Sequence, residues 1–111
     1  MTIRPPHRTP AAALDYEIAQ EKAASLGRLG RGLEAALAVL AAFDAQEREL
    51  SADTRRERRR LVEEAGYALW LFVVQREAVG LRDARPLMRQ YRVPAEVQAC
   101  MGLLPASRRA G

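Results

Sequence analysis

The stretch AAALDYEIAQEKAASLGRLGRGLEAALAVLAAF, residues 11–43, decides the fold. Leu14, Ile18, Leu26, Leu29, Leu33, Leu37, Leu40 and Phe43 recur at steps of three and four residues and their multiples. That spacing gathers them on one face of an α-helix. The stretch contains no proline and is rich in Ala, Leu, Glu and Arg, all good helix formers. The pattern predicts a first helix over residues 12–50, about 58 Å long at ~1.5 Å per residue. Gly27, Gly30 and Gly32 interrupt it, each costing about 1 kcal/mol relative to Ala in a helix interior. Either the helix kinks or breaks at GRLGRG, or Ala19, Ala23, Gly27 and Gly30 form a small-residue stripe where another helix comes close. The leucine spacing passes through the glycines in phase, which favours the stripe. With Leu26, Leu33, Leu40 and Trp70, this stripe is the candidate self-association face.

Downstream, Ser51 and Asp53 are favoured N-cap residues, and a second helix is expected over residues 52–79. Its segment ALWLFVV, residues 68–74, is apolar on every side and therefore wants neighbours on several sides. Gly80 is placed to end it. Two short helices are expected over residues 84–91, with Asp83 as cap and Pro86 in the first turn, and over residues 95–101, closed by Gly102. No segment alternates with period two, so no sheet is expected. Upstream, Pro5, Pro6 and Pro10 make residues 1–11 an extended arm. Residues 105–111 read as a frayed tail. The chain is then one domain, residues 12–104, which suits 111 residues.

Composition narrows the function classes. With 49% apolar and 29% charged residues the chain reads as globular rather than disordered. Its longest apolar run, Ala35 to Phe43, is far short of the ~20 residues of a membrane span, and no secretory signal precedes it. The single Cys100 excludes an internal disulfide and fits a reducing, cytoplasmic setting. One His and one Cys leave no zinc site of N and S ligands within one chain. The net charge of +4 resides in Arg4, Arg8, Arg108 and Arg109 of the tails; the remainder is balanced. Only Lys22 departs from an otherwise all-arginine basic set.

Five arginines stand out: Arg55, Arg56, Arg58, Arg59 and Arg60. They can grip phosphates, or they can pair with Asp44, Glu47, Glu49, Glu63 and Glu64 at an exposed end of the helix pair. GRLGRG has the glycines of a phosphate loop but follows no strand. LMRQYRVPAEVQACMG, residues 87–102, has the outline of a helix-turn-helix, yet its turn carries Arg92 and its second helix offers only Glu96 and Gln98. Arg76 with Asp83 and Arg82 with Glu77 are natural structural pairs. Glu17 and Glu21 share a helix face without the Glu-x-x-His motifs of a carboxylate metal site. Cys100 reads as a small buried hydrophobe and Trp70 as core or interface.

The stretches YEIAQEKAASLGRLGRGLEAAL, VQREAVGLRD and YRVPAEVQACMG resemble a family of short proteobacterial proteins of unknown function, over most of residues 15–102. Residues 55–60 lie outside the matched stretches. The resemblance implies a small cytoplasmic helical protein and transfers no activity, cofactor or functional residue. The expectation is thus an all-α protein: a long antiparallel helical hairpin with two short C-terminal helices, assembled as an oligomeric bundle, most simply a homodimer. It would be a protein–protein interaction or scaffolding module, not an enzyme, without metal, cofactor or small-molecule ligand. The competing expectation is a nucleic-acid-binding regulator using Arg55 to Arg60 and the basic tails.

Overall fold

The computed structural model describes residues 9–109, and every regular element in them is helical. Helix α1 spans Pro10–Ala45, α2 Ala52–Ala78, α3 Arg85–Gln90 and α4 Ala95–Ala99; a 3-10 turn follows at Ala106–Arg108. No helix among the described residues is long and apolar enough to cross a membrane. Of the proline arm, residues 1–8 lie outside the described residues. Pro10 and Ala11 already belong to α1, because proline fits the first helical position and Thr9 caps the end, its hydroxyl accepting from Ala12 N at 3.1 Å.

Helix α1 passes through Gly27, Gly30 and Gly32 without a break. It stops at Ala45, short of Leu50. Beyond Phe43 the apolar face runs out. Arg48 folds back with its guanidinium 4.0 Å from the Phe43 ring centroid, its Nε donating to Phe43 O at 3.5 Å. The connection ends in a capping box: Ser51 Oγ accepts from Thr54 N at 3.1 Å and Thr54 Oγ1 from Ser51 N at 2.9 Å.

The core lies between α1 and α2 and is closed by α3 and α4. Leu33 and Leu40 of α1 pack with Leu61, Ala65, Leu69, Phe72 and Val73 of α2, Leu87 of α3, Val93 and Val97. Two contacts set the relative order of the long helices: Gly30 lies against the Phe72 ring, and Asp44 meets Arg58. Later residues of α1 therefore meet earlier residues of α2. Helix α4 approaches α2 closely at Gly66, where an added Cβ would stand 2.7 Å from Cys100 Cβ. The expected frayed tail is corrected at its start. Pro105 is fully buried, Ala106 N donates to Glu63 at 3.3 Å, the Ser107 hydroxyl donates to Glu64, and Arg108 lies 4.6 Å over the Tyr67 ring.

The molecule measures 71 × 35 × 21 Å with a radius of gyration of 19.2 Å. A compact chain of 100 residues has about 13 Å. The excess comes from α1, which outruns its partners.

Candidate functional site

With Gly30 beside Phe72 and Asp44 beside Arg58, the last residue of α2, Ala78, falls opposite residue 24 of α1. The turns before it have no helix alongside among the described residues. All residues from Leu14 to Ala24 are exposed, Leu14 at 56% and Ile18 at 43%. What holds these turns is local: the Thr9 cap, Gln20 Nε2 donating to Tyr16 Oη at 3.0 Å, and the Glu21–Arg28 ion pair at 3.2 Å.

This geometry redistributes the residues of the expected self-association face. Leu33 is fully buried and Leu40 nearly so, within one chain. Gly30 is buried as well; an added Cβ would stand 2.9 Å from Tyr91 Oη and 3.3 Å from Phe72 Cζ. Its small size therefore admits Phe72 and Tyr91, not a second chain. Leu26 packs on the same core. Leu33, Leu40 and Gly30 thus lie in the core of the single chain and Leu26 packs partly buried against it, with Phe72 and Tyr91 occupying the stripe at Gly30. Gly27 is half-buried and meets only Arg31 within 4 Å. Ala19 and Ala23 lie exposed on the projecting turns, and Trp70 is 40% exposed on the outer face of α2. Val74 at 44%, with Leu103 and Leu104 from the connection after α4, extends the apolar surface around Trp70. Leucine spacing on α1 could not separate these classes, since it gives the direction of a side chain but not how far α2 reaches.

The arginine run divides in the same manner. Arg58 holds two acids at once: Nε and Nη2 donate to Asp44 at 2.8 and 3.0 Å, and Nη1 and Nη2 to Glu96 at 2.8 and 2.6 Å. It ties α1, α2 and α4 together. Its hydrogen bonds hold both carboxyl groups below their usual range, and the two carboxylates raise the guanidinium in turn. Arg56 pairs with Asp53, and Arg60 with Glu57 at 2.7 Å. Arg55 and Arg59 make no ion pair among the described residues. One turn apart, they border a groove of about 580 Å³ with Arg56, Arg60, Glu63 and Ala106. Of the expected acids, Asp44 is engaged, while Glu63 and Glu64 hold the tail.

The remaining sites resolve locally. Helix α4, five residues long, turns Glu96 to Arg58 and Gln98 Nε2 to Val93 O at 3.0 Å, so neither residue of the possible second helix of a helix-turn-helix is free. Arg76 reaches the backbone O of Asp83 at 3.4 Å, and not its carboxylate. That carboxylate takes Arg85 at 3.0 Å through Nε and again through Nη2, and the pairing lowers it to about 2. No ion pair joins Arg82 to Glu77 among the described residues. Cys100 is half-buried against Gly66, and burial raises its thiol, with the charges of Glu63 and Glu96 adding to the effect.

The model of a family of unknown function, DUF6665, matches residues 1–109. The chain belongs to DUF6665. The match runs through the arginine run and the tail, so the DUF6665 region includes the projecting turns, the outer face of α2 and the groove alike. No curated protein and no solved structure matches this DUF6665 chain.

Proposed function

We propose that this DUF6665 protein is a self-associating interaction module built on an antiparallel hairpin of α1 and α2, working in the cytoplasm without catalysis of its own. The observation that carries the reading is the projecting start of α1, where Leu14 and Ile18 are exposed on a helix face that no other described helix covers. An apolar helix face in water is normally covered by a second chain. Trp70, Val74, Leu103 and Leu104 add exposed apolar surface on the outer side of α2. The order of the Gly30–Phe72 and Asp44–Arg58 contacts supports the hairpin. A lone cysteine suits a reducing compartment.

The test is absolute mass by light scattering behind size exclusion at several protein concentrations. The expected result is a multiple of the 12.3 kDa chain; a 12.3 kDa particle throughout overturns the reading. In that event the unpaired Arg55 and Arg59 support a second reading, contact with a nucleic-acid backbone. Its mark is retention of oligonucleotides that weakens steeply with salt.

A further inference from the structure

Helix α1 makes five turns in about 18 residues. Asp15 therefore points as Leu33 does, and Lys22 as Leu40 does, the two most deeply buried leucines of α1. On the projecting turns the line of the core thus continues through Leu14 and Ile18, but with a carboxylate and an ammonium set into it seven residues apart. A partner for this face must offer a base and an acid at the same interval. The outer face of α2 does so: Arg56 and Glu63 are also seven residues apart and both line the groove.

We infer that the partner is a second copy of this chain, related by a two-fold axis, whose groove takes the projecting turns of α1. This rests on the self-association proposed above. Asp15 sits against the partner's Arg56, with the unpaired Arg59 of the partner subunit one turn further on beside Ile18. Lys22 sits against the partner's Glu63. The aliphatic stems of the groove arginines cover Leu14 and Ile18. In this register α1 runs parallel to the partner's α2, which holds for a two-fold axis perpendicular to the helices when α1 and α2 of each copy run oppositely.

The register also fixes the centre of the dimer. It places the two-fold axis beside α2 between Leu71 and Phe72. Trp70 of each copy then meets the partner's Val74, and these are the exposed large apolar residues of the α2 outer face. An isologous interface needs such a self-complementary pair at its centre. An inclination of about 20° between the helices, ordinary for bundles, lets α2 pass from the projecting turns of the other copy to this central contact. The contact closes on itself, so the assembly is a dimer and not a filament.

The charges give a test by reversal in the full-length chain. Asp15→Arg with Lys22→Glu weakens the dimer about tenfold or more, as does Arg56→Glu with Glu63→Arg. The chain carrying all four changes regains wild-type affinity within about threefold. Thermal melts of each variant confirm folding, since Glu63 also accepts from the tail. In a Cys100→Ser background, Ile18→Cys chains mixed with Arg59→Cys chains form a mixed disulfide dimer on mild oxidation. A wild-type dimer that shows neither rescue nor mixed cross-link overturns this register while leaving self-association standing. A wild-type monomer overturns both.

Discussion

Helices α2 and α3 end in the same hydrogen-bonded turn with different residues at its critical position. After α2, Gly80 N donates to Glu77 O and Leu81 N to Arg76 O; after α3, Arg92 N donates to Arg89 O and Val93 N to Met88 O. The turning residue is left-handed in both, Gly80 at φ 93 and Arg92 at φ 52. Glycine takes that conformation freely, whereas a residue with a Cβ is strained there by about 1 kcal/mol or more. Arg92→Gly is therefore expected to stabilise the fold by about 0.5–1 kcal/mol, the relief of strain exceeding the added freedom of the unfolded chain. Urea unfolding of the variant reads this directly. Gly80 could be placed from the sequence because glycine marks the turn. Arg92 was legible only as a turn of unusual composition, since nothing in an arginine announces a positive φ.

At the scale of elements, the two interior glycines Gly32 and Gly66 look alike in sequence and behave oppositely. A Cβ on Gly32 meets nothing within 4 Å, while one on Gly66 stands 2.7 Å from Cys100 Cβ and 3.1 Å from its backbone. Gly32→Ala is expected to raise stability by about 0.5–1 kcal/mol through helix propensity. Gly66→Ala is expected to lower it by about 1–3 kcal/mol, because the short α4 must move away. Thermal melts of the two variants should shift in opposite directions. The helical content and the Ser51 boundary were readable from periodicity and capping chemistry. The end of α1 was not. Residues 46–50 are compatible with a helix by propensity, but the chain turns after Ala45 and Arg48 folds back onto Phe43. The division of the leucine stripe into core and exposed halves depends likewise on where α2 ends.

At the scale of the whole molecule, Arg58 is the side chain that joins three helices. Its two carboxylate partners, Asp44 and Glu96, are held below their usual range by its hydrogen bonds. Folding therefore favours their ionised form. The stability this contributes is fully present above the ordinary carboxylate range, near pH 4–5, and is lost as the pH falls through the lowered values. Arg58→Ala is expected to cost about 1 kcal/mol at pH 7, the upper range for a partly exposed pair. It should also flatten the loss of stability between pH 6 and pH 3, as measured by urea midpoints. The pairing of Arg58 with Asp44 followed from the charge pattern of the sequence. The reach to Glu96 did not, because it depends on α4 folding back over α2.

The projecting turns of α1 carry one more consequence. No other described helix packs on them, and a free helix of about a dozen residues is marginal in water. In the proposed dimer, ordering them is part of the free energy of pairing rather than of folding. The proposed dimer would then report its assembly in helix content: far-ultraviolet ellipticity is expected to deepen as the protein is concentrated, and the amide protons before residue 24 to exchange fastest at dilution.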